Sequence, residues 1–329
     1  MKLSKNKKNI IECTYFTALF VLFVLSFCAY FSKYHYIFDI ISQYRVLYCI
    51  LSIIIFISPL FYINHNKKFV KQYILFSLLA LLLNLFDVIY TNAIQIPYEF
   101  GYSRNNYKVY SVKSSCLVFN IHKNFEGYQT ILFNISQKQP DIFIVENYSN
   151  EFDKNLPTLK KLYKYTHTYI NSNNEGLAIY SKNPFKEKST ILLSNNALPI
   201  LRVKLYNGVT IITLKMPKYI SKNNIYLRNL MLNNLANYIR KLNTEDIIIT
   251  GDFSTSEYTY AFKKFQHIVK LNEHRPLLSG TYPKSFPKYL RVSFDKVLSD
   301  KDICISDYFI DENIEAAHSV IGFSYKLFR

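Results

Sequence analysis

The chain has 329 residues, enough for one large domain or two small ones; half are apolar, the formal net charge is +17, and tryptophan is absent. Five cysteines without paired-ligand spacing exclude a cysteine-based zinc module. The lysine surplus accompanies many Ile, Asn, Tyr and Phe, the mark of AT-rich codons, and no basic block interleaved with aromatics stands out, so the charge is weak support for a nucleic-acid partner.

Three apolar runs lie before residue 95 and none after it: residues 13–31, 46–63 and 73–94. Each approaches the ~20 apolar residues of a spanning helix. Three in succession argue for a membrane anchor over buried soluble helices. Asp87, in the third run, is costly at bilayer depth unless it pairs with a neighbour or lies near an end. No small-residue cleavage site follows the first run, which argues against a cleaved signal peptide. Lysines cluster in "MKLSKNKK" at the start and in "HNKKFVK" before the third run, whereas residues 32–45 hold only Lys33 and Arg45. Positive flanks stay in the cytoplasm, so three spans deliver everything after residue 95 to the other side. The expected organisation is a three-helix anchor over 1–94, a linker over 95–110 and an exported domain over 111–329. In a bacterium this places the chain in the inner membrane, with the domain on the periplasmic or external side.

From residue 111 the pattern alternates. "SCLVFNI" (115–121) reads as a buried strand, residues 125–137 as a helix, and "DIFIVEN" (141–147) as a second strand. A leucine-spaced helix near 156–163 and the strand "GLAIYS" (176–181) follow. "PILRVKLYNGVTIITLK" reads as a hairpin turning at Asn207-Gly208. The helix over 224–242 carries an apolar stripe of Leu232, Leu235, Ala236, Ile239 and Leu242, with Arg228, Arg240 and Lys241 on its wet side. After the strand "DIIITGD" comes a loop rich in Pro, Ser and Lys (276–288). Three strands, "LRVSFDKVLS", "DICISDYFI" and "SVIGFSYKLF", close the chain. Cys116 and Cys304, both in apolar strand-like runs, read as buried thiols. Hairpins mixed with crossovers predict two packed sheets with helices outside, an α+β layered arrangement. No internal repeat is visible.

Several strands share one feature. Asn120, Glu146, Asp252 and Asp295 each stand at or near a strand end, and His318 precedes the last strand. Any one of them alone is more often a turn-capping acid or amide. Converging at one mouth of a sheet, the carboxylates need a cation or a proton between them, and such an oxygen-rich set suits Mg²⁺ or Mn²⁺. A histidine beside an aspartate adds acid–base or phosphate-contact chemistry.

In order and spacing, "VFNIHKN", "DIFIVEN", "EGLAIYSKNPF", "IIITGDFS", "GTYP…FDKVL" and "AHSV" resemble the signature segments of the endonuclease/exonuclease/phosphatase superfamily, and the three apolar runs resemble its membrane-anchored bacterial members. The resemblance covers 111–329. It implies an α/β (α+β) four-layer sandwich preceded by three transmembrane helices. It also implies one or two Mg²⁺ or Mn²⁺ ions, with Glu146 as the main ligand and Asn120 holding the metal site or orienting phosphate. Asp252 would orient or deprotonate the attacking water, and Asp295 would orient His318 against the scissile phosphate. Three positions depart from the family pattern: Ser254 replaces the Asn of GDFN, Lys215 replaces a His or Tyr, and "AAH" puts Ala317 where an Asp precedes the final His. Ser254 still donates one hydrogen bond and Lys215 still neutralises phosphate, but Ala317 supplies nothing. Lost transition-state contacts of ~2–3 kcal/mol each would slow the chemistry. Three readings follow. One is a membrane-anchored phosphodiesterase, nuclease or phosphatase acting on nucleic acid, lipid or a small phosphoester. The second is an inactive relative whose cleft binds a phosphorylated ligand or a protein. The third, a structural envelope protein, leaves the acids unexplained.

Overall fold

The computed structural model describes residues 5–58, 67–95, 113–121, 126–195, 197–242, 246–276 and 278–328. Most of the expected linker, 96–110, lies outside the described residues, as do residues 59–63 of the middle apolar run. The chain forms two compact units, one of residues 1–94 with the short segment 257–260, the other of the remainder.

The first unit is helical: α1 (Lys5–Cys28), α2 (Tyr36–Ser42), α3 (Arg45–Ile57) and α4 (Lys67–Gln95). Glu12–Phe31 and Lys71–Asn92 are each long and apolar enough to cross a membrane. The middle run differs from expectation. Its described helical part is α3 alone, 13 residues long, and a third span forms only if α2, which precedes the run and is bent 62° from α3, is taken together with it. Polar side chains account for the break: Gln43 donates to Asp39 Oδ1 at 3.0 Å, and Arg45 turns inward to Ser26 O (2.8 Å) and Asn84 Oδ1 (3.1 Å). Asp87 is paired, its Oδ2 lying 2.8 Å from Arg45 Nε.

The second unit contains two six-stranded sheets. β1 (Ser114–Asn120), β2 (Ile142–Tyr148), β3 (Tyr165–Ile170), β4 (Gly176–Ser181), β11 (Ile303–Asp311) and β12 (Val320–Leu327) make one, in the order β11-β12-β1-β2-β4-β3. β5 (Phe185–Ile191), β6 (Ile200–Leu205), β7 (Thr210–Lys215), β8 (Ile247–Asp252), β9 (Asn272–His274) and β10 (Asp295–Ser299) make the other, in the order β5-β6-β7-β8-β10-β9. Each sheet is antiparallel except for one central parallel pair, β1 with β2 and β7 with β8. A parallel pair requires a crossover, and helices α5 (Tyr128–Lys138) and α8 (Lys222–Leu242) provide the two. The short helices α6 (Asn150–Asn155) and α7 (Leu159–Leu162), and α9 (Tyr260–Val269), complete the unit.

Strand periodicity explains the layers. Val118, Ile144, Ile211, Ile248, Val297 and Phe323, from both sheets, form one core between them. Their chain neighbours face outward: Phe119, Phe143 and Val145 pack with Ile131 and Ile135 of α5, while Ile212, Ile249 and Leu298 pack with Leu232 and Leu235 of α8 and Phe262 of α9. The result is helix, sheet, sheet, helix. Central strands buried on both faces read as unbroken apolar runs for this reason.

Four sequence expectations need correction. The leucine-spaced helix expected near 156–163 is only the four-residue α7, which begins after Pro157, and α6 precedes the expected span. β3, β5 and α9 lack the expected signals; β5 reads "FKEKSTI", a polar edge strand with little apolar alternation. Cys304 is exposed on β11 while Cys116 is buried, and both are free. Arg228 is not on the wet side of its helix but fully buried.

Candidate active site

The inward-facing row of each central strand continues one step past the apolar core, and there it turns polar. Cys116 and Val118 lead to Asn120; Ile142 and Ile144 lead to Glu146; Ile211 leads to Lys215 by way of Thr213; Ile248 leads to Asp252 by way of Thr250. On antiparallel β10, Asp295 precedes inward Val297, so it arrives at the same end from the opposite direction. Register fixes the neighbours: Asn120 lies opposite Glu146, and Asp252 lies opposite both Lys215 and Asp295. Gly251 permits the close approach of β7 and β8, since its φ is +143° and an added Cβ would lie 2.2 Å from Leu214 O.

Hydrogen bonds join the two sheets at this mouth. Asn120 Nδ2 donates to Asp252 Oδ2 (3.2 Å) and to Asp295 Oδ1 (2.9 Å). The Asp252 backbone N–H donates to Glu146 Oε2 at 3.2 Å. His318 Nδ1 lies 2.7 Å from Asp295 Oδ2. Lys215 Nζ donates to Asn120 Oδ1 (3.1 Å) and Asp252 Oδ2 (3.3 Å). Ser254, at φ 47°, turns back so that its backbone N–H (2.7 Å) and hydroxyl (3.1 Å) both reach Asp252 Oδ1. All the sequence-predicted site residues therefore meet at one place. Ala317, exposed beside His318, contributes only its backbone oxygen, to the Lys284 N–H.

Electrostatics separate the roles of these groups. Burial pushes the Glu146 carboxyl well above the ordinary carboxylate range, and the Asp295 and Asp252 charges push the same way against Lys215. Burial also opposes ionisation of Asp295, but the charge and hydrogen bond of His318 outweigh it and bring that carboxyl down to about 2. His318 is the reciprocal case: burial lowers it, Asp295 more than restores it, and the imidazole ends above its usual value. Burial likewise lowers Lys215, and the charges of Asp252, Glu146 and Asp295 reverse the effect. Lys215 is thus a held cation, not a proton shuttle.

The donor set fits a hard divalent cation. Glu146 Oε1 is buried without a hydrogen-bond partner, and Asp252, Asp295 and His318 offer ligand atoms within 4.8 Å of one another.

Sequence reasoning missed several supporting residues. Asn147, at φ 58°, donates through Nδ2 to Asn120 Oδ1 (3.3 Å) and to Ile121 O. Thr281 Oγ1 accepts the Asp295 N–H at 3.2 Å, and the Tyr282 ring lies 4.6 Å from that of His318. Arg228 donates to Ser254 O at 3.2 Å, bracing the turn after Asp252. A signal existed for Thr281 and Tyr282, which lie in the "GTYP" segment; for Arg228 the helical stripe pointed the other way.

No family model matches the chain, and no curated protein matches it. Solved structures do. TDP2 of D. rerio complexed with single strand DNA product aligns with TM-score 0.55 at 12% identity, over 65% of this chain and 99% of that one. An endonuclease/exonuclease/phosphatase family protein of Bacteroides thetaiotaomicron aligns with TM-score 0.51 at 15% identity, over 68% and 97%. A functionally unknown conserved protein of Enterococcus faecalis aligns with TM-score 0.53 at 12% identity, over 64% and 98%. The two sheets, their crossover helices and these alignments give the second unit the endonuclease/exonuclease/phosphatase fold.

Proposed function

We propose that this chain is a divalent-metal-dependent phosphoester hydrolase, anchored by its N-terminal helices in a bacterial inner membrane, with an altered active site. The observation that carries the reading is the meeting of Asn120, Glu146, Asp252, Asp295 and His318 at the strand ends of this fold. Mg²⁺ or Mn²⁺, as one or two ions, would be held by Glu146 with Asn120 and supply positive charge against the phosphate oxygens. Asp252, fixed by Ser254 and Asn120, is placed to orient and deprotonate a water. Asp295 holds His318 through Nδ1, which favours the charged imidazole and leaves Nε2 to face a phosphate oxygen. Phosphodiesters are the favoured substrate class, since a D. rerio TDP2 of the same fold carries a single-strand DNA product; the apolar helices bring a lipid or envelope phosphoester equally within reach.

The test uses the full chain in detergent with a generic aryl phosphodiester. Hydrolysis is expected with Mg²⁺ or Mn²⁺ and not with chelator, and should fall by about 10²–10³ in Glu146→Gln and in His318→Ala. A second reading, a non-hydrolytic phosphoester-binding relative, draws support from Lys215 among the acids and from the loss of carboxylate at Ala317. Saturable binding of the phosphodiester without turnover in either metal selects it.

A further inference from the structure

β7 ends by placing a lysine where β8 and β10 of the same sheet place acids. Lys215 continues the inward row of Ile211 and Thr213, and its side chain is nearly buried in the cleft. The ammonium donates to Asn120 Oδ1 at 3.1 Å and Asp252 Oδ2 at 3.3 Å, and lies close enough to Glu146 and Asp295 to feel both charges. Asn120 Oδ1 and Asp252 Oδ2 are oxygens of the kind a hard divalent ion takes. Beside them Glu146 Oε1 remains a buried oxygen without a partner. Like-charged carboxylates brought this close need a cation between them, and here the chain itself supplies one.

We propose that Lys215 Nζ is a built-in cation of the cleft, standing at Asn120 and Asp252 in competition with the divalent ion, so that metal enters only as the ammonium swings aside. The inference rests on the metal-dependent reading above and deepens it. Two consequences follow. Divalent affinity is low for a cleft with three carboxylates, and metal entry frees a positive side chain at the moment a phosphate needs one. A lysine suits such an exchange, because its four-carbon stem is flexible and its charge is a compact point.

The test is direct binding of Mn²⁺ to the full chain in detergent, followed by the loss of the free-ion signal in electron paramagnetic resonance. The parent is compared with Lys215→Met, which keeps the stem and removes the charge, and with Lys215→Gln, which keeps hydrogen bonding should the methionine disturb folding. Circular dichroism verifies that each variant is folded. Both variants are expected to bind Mn²⁺ roughly ten- to a hundredfold more tightly than the parent, the scale on which a neighbouring charge of this kind shifts an equilibrium. Adding Glu146→Gln to Lys215→Met should abolish the gain. If parent and variants bind Mn²⁺ equally tightly, and Glu146→Gln weakens all of them, the competition is refuted and the metal-dependent reading survives. If none of them binds Mn²⁺, both fall.

Discussion

A buried histidine without an acidic partner ties its own protonation to folding, and among the described residues His274 on β9 has none. Its Nε2 lies 2.8 Å from Ser299 Oγ, and burial pushes it down to about 4. The unfolded chain takes up that proton near pH 6.5, so between pH 6.5 and 4 the unfolded state holds more protons than the folded one. Stability is therefore complete above about 6.5 and is lost as pH falls through this window, by up to about 3 kcal/mol. His274→Gln, which retains a partner for Ser299, is expected to flatten this acid limb; melting temperatures of both proteins at pH 7, 5.5 and 4.5 measure the difference. Parallel curves would mean that His274 does not govern it. At the same scale, Asn120, Glu146, Asp252 and Asp295 were legible in the sequence because each stands at or near the polar end of an apolar strand-like run; that they share the inward row of the core residues emerges only from the structure. Arg228 was not legible: a buried guanidinium on a helix looks like a wet one until its acceptor, Ser254 O, is known, and that acceptor is 26 positions away.

Between elements, the sequence revealed best the strands that are buried on both faces. β1, β2, β7 and β8 are short apolar runs, rich in Ile, Leu, Val and Phe, that end at polar groups. Edge strands such as β5, and β9 with its three residues, carry no such signature because one side meets solvent or the strand is too short to show a period. The bend between α2 and α3 was hidden for another reason. The apolar run begins only at residue 46, after Ser42, Gln43 and Arg45, and only tertiary contact shows what those residues bind. Arg45 joins three helices, reaching Ser26 O on α1 and Asn84 and Asp87 on α4, with its guanidinium 4.3 Å from the Tyr30 ring. Removing one charge from this buried pair should cost more than removing both, since a lone buried charge is left without compensation. Asp87→Ala is expected to destabilise the helical unit by about 3–5 kcal/mol, and Arg45→Met with Asp87→Leu to recover most of it. The temperature of half-aggregation in detergent ranks the variants; equal losses in single and double would remove the ion pair from the account.

At the scale of the whole molecule, the proposed membrane anchor makes a prediction about sidedness. Lysines cluster near the start of α1 and open α4, while residues 32–45 carry few, so we propose, with α2 and α3 taken as one span, that the chain start and residues 65–71 are cytoplasmic and the second unit is on the other side. The distribution of cysteines supplies the probe. Cys304 is exposed on β11, Cys116 and Cys49 are buried, Cys28 lies within the first apolar span, and Cys13, exposed at the start of that span, is replaced by Ser in every chain tested. A membrane-impermeant maleimide applied to spheroplasts is therefore expected to label the parent chain, to leave Cys304→Ser unlabelled, and to gain little on lysis. Labelling that appears only after lysis would put the second unit in the cytoplasm. The outcome also narrows the substrate, because an exported cleft meets envelope lipids and extracellular phosphoesters, whereas a cytoplasmic one meets the nucleic acid of its own cell. Side of membrane and chemical class are thus linked under the proposed function: the maleimide result decides which phosphoesters to offer first in the test of the Asp252 and His318 cleft.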